Sequence, residues 1–119
     1  MKSKIRIKVT EFAKTDLHYI KLKDPDSYER LLVRIEELGL DPYPDTEECT
    51  SQIIQNLKRY NIRRLKCIDV QEYRVFYQYI SGQVIVYCVV KRDEKTYKEE
   101  SPCYQRIKLS QKYLQQRPK

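Results

Sequence analysis

A chain of 119 residues, 40% apolar and 34% charged, has the length of one domain and room for one modest core. Its 24 lysines and arginines against 17 acidic residues give a formal charge of +7, which favours an anionic partner, either nucleic acid or an acidic protein. Nothing approaches the ~18 apolar residues of a membrane span, and the N-terminal MKSKIRIKVT lacks the apolar segment of a signal peptide.

In chain order, residues 4–9 alternate Ile5, Ile7 and Val9 with Lys4, Arg6 and Lys8, the pattern of a half-buried strand. TEFAKTDLHYIKLK then sets Phe12, Ala13, Leu17 and Ile20 on one helical face. DPDSYERLLVRIEELGL is a second helix, with Asp24 as cap, Pro25 at the first helical position, Gly39 as the stop and Leu31, Leu32, Ile35 and Leu38 as the packing stripe. DPYPD, residues 41–45, is a connector in which two prolines bar a helix. Asp45 and Glu48 resemble a capping box, and Cys49, Ile53, Ile54, Leu57 and Tyr60 follow at helical spacing, so a third helix is expected over 46–60.

Three strand-like runs come next, 62–68, 72–80 and 83–90, the last two joined by a tight turn at Ser81-Gly82. Ser101 and Pro102 open a helix with a thin stripe of Cys103, Ile107 and Leu114, and the tail at 115–119 is expected to be disordered. The order β-α-α-(α)-β-β-β-α in one domain, 1–119, predicts an α+β fold: a small antiparallel β-sheet with the helix hairpin packed on one face.

Four cysteines, Cys49, Cys67, Cys88 and Cys103, show no paired spacing, and Cys67 and Cys88 fall inside strand-like runs. They read as reduced thiols packed as small apolar groups, which implies a cytoplasmic protein. The one histidine, His18, does not complete a zinc set with them, so neither a metal nor another cofactor is expected.

DPYP after a helix hairpin, then RRLK, YRVFY and VIVYCVVKRDEKTY, resembles the RelE/ParE toxin superfamily of bacterial type II toxin–antitoxin systems, over residues 4–100. Two departures stand out: Cys67 occupies the place of a glycine, and the segment 46–60 is longer than the usual connector. RelE-like members are endoribonucleases (mRNA interferases) that cut mRNA on the ribosome without metal, ParE-like members poison DNA gyrase, and both are held by a small antitoxin. The resemblance therefore implies mRNA on the ribosome and a cognate antitoxin protein as partners.

RNA cleavage by the 2′-hydroxyl needs a base, positive charge for the phosphorane and help for the leaving 5′-oxygen. With no histidine near the strands, those roles fall to Arg, Lys and Tyr. Arg64 and Lys66 stand two apart and so share a strand face. By the resemblance, Lys66 is the base, Arg64 and Lys91 bind RNA, Arg74 stabilises the phosphorane, Arg92 serves the leaving oxygen and Tyr97 stacks on a base. Crowded cations lower a lysine's pKa, which suits Lys66 to the role. A pairing of Arg74 with Glu72 or Asp69 is the plainer reading of that residue. A gyrase inhibitor would not need these cations, and a non-catalytic RNA- or ribosome-binding module would bind without cutting.

Overall fold

The computed structural model describes residues 5–92 and 105–109, so Tyr97, the tail and most of the expected C-terminal helix lie outside the described residues. The fold is α+β, with strand β1 (Arg6–Val9), helices α1 (Glu11–Lys23) and α2 (Pro25–Glu37), then strands β2 (Cys49–Ile53), β3 (Ile62–Cys67), β4 (Tyr73–Ile80) and β5 (Gln83–Lys91). Residues 105–109 are helical. The sheet order is β1-β5-β4-β3-β2.

The helix hairpin forms as its end signals require. The Thr10 hydroxyl accepts the Ala13 amide at 3.2 Å, and Asp24 accepts the Ser27 amide at 3.2 Å and its hydroxyl at 2.7 Å, each satisfying an orphan donor at a helix start. Helix α2 tightens into i→i+3 turns through Leu40, and the Gly39 carbonyl accepts the Ile5 amide at 2.7 Å, joining the helix end to the start of β1. Ala13, Leu17, Ile20, Leu31, Ile35 and Leu38 turn onto the sheet, each large aliphatic side chain contributing about 1.5–3 kcal/mol by burial. Phe12 and Leu32, expected in that stripe, are 44% and 36% exposed.

The sheet is mixed rather than antiparallel throughout, because β1 runs parallel to β5. Strands β2 to β5 are successive antiparallel neighbours, which leaves the outer edge of β5 open to a newcomer. Strand β1 takes that edge, and Thr10 continues the join by donating its amide to Val86 O at 3.1 Å and its hydroxyl to Tyr87 O at 3.2 Å. The turn at Ser81-Gly82 has φ of 53° and 75°, the left-handed pair that a two-residue hairpin requires.

The third helix expected over 46–60 is instead strand β2 followed by a 3-10 helix, Gln55–Tyr60. Thr46 sets this up: its hydroxyl accepts the amides of Glu48 and Cys49 at 3.2 and 3.0 Å, making a tight turn that delivers the chain as a strand. Cys49, Ser51 and Ile53 then alternate with Thr50 and Gln52, and an open edge of β3 is there to receive them. The 3-10 helix stops at Asn61, in the left-handed region at φ 56°, which asparagine tolerates better than most residues.

Cys49 and Cys67 form a disulfide, which corrects the reading of all four cysteines as reduced thiols and removes the premise for a cytoplasmic location. The ladder explains the pairing. Hydrogen bonds join Ile54 to Ile62 and Ile68 to Glu48, so Cys49 and Cys67 face each other at a non-hydrogen-bonded position, where side chains approach most closely. Their Cα atoms are 4.2 Å apart. Cys88 is a buried thiol outside any disulfide, as expected. No helix among the described residues is long and apolar enough to cross a membrane.

Each sheet face carries its own core. The hairpin face buries Leu65, Cys67, Tyr73, Val75, Tyr77, Val84, Val86 and Val89. On the opposite face Ile62, Phe76, Ile85, Tyr87 and Cys88 pack against Leu57 of the 3-10 helix and Ile107 of the C-terminal helical segment. Arg106 fixes that segment to α1 through Asp16 at 3.1 Å, and Asp16 also accepts the Val89 amide at 3.1 Å.

Candidate RNA-binding face

Alternation along β3 and β4 places Arg64, Lys66 and Arg74 on the face opposite the helix hairpin. Their neighbours Leu65, Cys67, Tyr73 and Val75 point into the hairpin core. The register sets them in rows: Thr50 opposes Lys66 and Arg74 opposes Val90, while Gln52 opposes Arg64 and Arg64 opposes Phe76. Lys66 and Arg74 are the next positions along the β3–β4 ladder after Leu65 and Val75.

A bulge in β5 decides which of two consecutive cations joins them. Val86 opposes Tyr77 and Cys88 opposes Phe76, so Tyr87 is the extra residue and the alternation of β5 changes phase there. Val90 therefore falls on the Arg74 side, and so does Arg92, whose amide donates to Glu72 O at 2.7 Å to extend the pairing. Lys91 opposes Tyr73 and faces the hairpin. There it touches the field of Asp24, whose carboxyl is held below its usual range by the Ser27 hydroxyl and amide first and by Arg30 and Lys91 to a smaller degree. Lys91 is thus on the other side of the sheet from the remaining cations.

Arg64, Arg74 and Arg92 follow a diagonal across three strands, with successive backbone positions about 7–8 Å apart. Lys66 and Arg74 each lie one residue beyond the last β3–β4 pair, Leu65–Val75, on the same face. The arrangement is a basic track across β3, β4 and β5.

Arg74 differs from the others in being 4% exposed. One terminal nitrogen, Nη1, donates to Gln71 O at 2.7 Å and to Tyr73 O at 2.9 Å, which anchors the guanidinium to its own backbone. The Nε–Nη2 edge, with three N–H groups, makes no hydrogen bond to the described residues. No carboxylate among them pairs with it either. The pairing with Asp69 is not made, because Asp69 is taken by Arg34 at 3.2 Å. Lys66 and Arg92 are exposed. A buried charge needs a counter-charge, and a free guanidinium edge fits two oxygens of a phosphate.

Two features of this face were not legible in the sequence. Strand β2 widens it by one strand and adds neutral polar groups, Thr50 beside Lys66 and Gln52 beside Arg64. The Gln52 side-chain oxygen accepts from Arg64 and so orients it. On the hairpin face of the same strands, Arg63 donates to Ser51 Oγ at 2.8 Å and lies 4.5 Å from the Tyr43 ring centre. Ser51 also bonds the Tyr77 hydroxyl, which donates to Pro42 O at 2.6 Å. Burial pushes the Tyr77 phenol up to about 12, so it serves as a neutral donor that ties the connector to the sheet. Among the described residues there is no cluster of three or more His, Cys, Asp or Glu that could hold a metal ion.

Comparisons with protein-family models, with curated proteins and with solved structures find no match to this chain.

Proposed function

We propose that this chain is the toxin of a type II toxin–antitoxin pair, of the RelE-like branch of the RelE/ParE superfamily, and that it cuts ribosome-bound mRNA on the basic face. The observation that carries this reading is Arg74, a buried guanidinium with an open N–H edge and no carboxylate among the described residues, in line with Arg64 and Arg92. The motif order in the sequence supports the branch.

In this reading the scissile phosphate sits on the Nε–Nη2 edge of Arg74. The 2′-oxygen forms a bond to phosphorus as the bond to the 5′-oxygen breaks, leaving a 2′,3′-cyclic phosphate and a 5′-hydroxyl. Lys66, on the same face as Arg74, takes the 2′-hydroxyl proton. Arg74 stabilises the added charge of the phosphorane, where a preorganised donor is worth more than at the starting phosphate. Arg92 hydrogen-bonds the departing 5′-oxygen, which takes its proton from water, since a guanidinium does not give one up. Arg64 holds a neighbouring phosphate, and Tyr97 stacks on a base. A small antitoxin that covers the basic face would silence it.

The test is a cell-free translation reaction with the purified protein, with mRNA 5′ ends mapped by primer extension. Breaks confined to translated message, and lost with Arg74→Ala, are expected. Intact message rejects the nuclease, and a block of DNA supercoiling in the same preparation would establish the gyrase reading instead.

A further inference from the structure

The Cys49–Cys67 bond joins β2 to β3, the strand that carries two of the four cations, Arg64 and Lys66, and it lies one residue from Lys66. Thr50 and Lys66 are the next ladder pair after Cys49 and Cys67, with Gln52 and Arg64 two pairs beyond them on the same face. Strand β2 is the last strand of the sheet, five residues long, paired with β3 on one side and on the other meeting the connector, through the Asp45–Thr50 bridge and the Ser51 amide bond to Pro44 O at 3.0 Å. Its sulfur bridge is on the hairpin face, so the bond and the cations are on opposite sides of the same two strands. Any change in how closely β2 follows β3 is therefore carried through the backbone to Lys66, and through Gln52 to Arg64.

We infer that Cys49 and Cys67 are a reversible thiol–disulfide modification site whose state sets the order of β2 and with it the anion affinity of the basic face. The inference rests on the RNA reading above for its ligand but not for its mechanism. The partner couple is a low-molecular-weight thiol and its disulfide, such as glutathione. The Cys49 thiolate, 7% exposed against 2% for Cys67, attacks the external disulfide and expels one thiol, forming a mixed disulfide. Cys67 then attacks the Cys49 sulfur and expels the second thiol. Two electrons pass from the two protein thiols to the external disulfide, which leaves as two thiols, and reduction runs the same steps backwards. In the oxidised state the covalent link closes a short loop and keeps β2 paired. In the reduced state β2 keeps its ladder to β3, the Ser51 amide bond to Pro44 O at 3.0 Å and the Ser51 bonds to Tyr77 and Arg63, but without the covalent link this edge strand frays sooner than the central strands.

The experiment uses the full chain with Cys103→Ser, so that the remaining thiol, Cys88, is buried. The protein is equilibrated in glutathione buffers of graded ratio, and three quantities are read: the oxidised fraction by thiol trapping, backbone amide exchange, and binding of a fluorescein-labelled single-stranded RNA. Both forms are expected to be folded and interconvertible. Reduction should speed exchange in β2 at least about tenfold, with β4 and β5 unchanged. RNA affinity should fall about tenfold, as two of four cations lose their fixed position. Cys49→Ser with Cys67→Ser should match the reduced form in every buffer. Equal exchange in β2 and equal RNA affinity in both states would overturn the inference, as would a bond that opens only on global unfolding. RNA bound in neither state rejects the RNA reading alone, because amide exchange judges the clamp independently.

Discussion

At Arg74, burial and charge oppose one another, and the balance makes a prediction. Two backbone carbonyls satisfy Nη1, but nothing among the described residues neutralises the charge. A buried ion without a partner costs stability, and replacement by an apolar side chain of similar volume is often neutral or favourable. Arg74→Met is therefore expected to keep the fold, with a melting temperature equal to or above that of the native chain, while cleavage falls about 10²–10³-fold. A large loss of thermal stability, measured by calorimetry, would show instead that the arginine is a structural strut. The partition matters because a strut and a phosphate ligand give the same loss of activity with alanine. Methionine separates them.

At the scale of elements, the connector and β2 depend on the Tyr77 hydroxyl, which links Pro42 O to Ser51 and, through it, to Arg63. Folding raises the phenol from its ordinary 10.0 to about 12, with burial as the main cause. Between those values the unfolded chain has lost the proton and the folded chain still holds it. The folded state binds more protons there, so stability falls as pH rises through that window and is undiminished by this group below it. Tyr77→Phe should cost about 1–2 kcal/mol at neutral pH, by leaving Pro42 O without its donor, and should flatten the alkaline decline. Urea denaturation of both proteins at neutral and alkaline pH measures the two effects together. An unchanged alkaline slope in Tyr77→Phe would mean that other groups cause it.

The same elements show where a sequence is ambiguous. Strand β1 and the β4–β5 hairpin were legible because alternation and a turn signal agree there. Segment 49–60 was not, because Cys49, Ile53, Ile54, Leu57 and Tyr60 fit a helical spacing while Cys49, Ser51 and Ile53 fit a strand equally well. An available edge on β3 resolved it, and no local pattern records an available edge. The disulfide followed from that register and was hidden for the same reason. Arg64 and Lys66 share a face because they stand two apart on one strand, which the spacing itself implies, whereas Arg74 joins them through the β3–β4 register. Arg92 is on that face and Lys91 is not because of the Tyr87 bulge, one residue that shifts the phase of everything after it.

Taken whole, the molecule has two unlike sheet faces. One is sealed by the helix hairpin, and the other is divided between an apolar half under Leu57 and Ile107 and a basic half from Arg64 to Arg92. A net charge of +7 attracts a polyanion to any part of the surface, so on the proposed function removing a cation anywhere should weaken RNA binding slightly. Removing one from the track should do far more. Consecutive residues on opposite faces offer that comparison at constant net charge, and cleavage of translated mRNA by Arg92→Ala and Lys91→Ala is the measurement to make. The basic face as the site of action requires Arg92→Ala to lose about tenfold or more in rate while Lys91→Ala stays near the native rate. Equal losses, or a greater loss from Lys91→Ala, would contradict it and move the site to the hairpin side of the sheet.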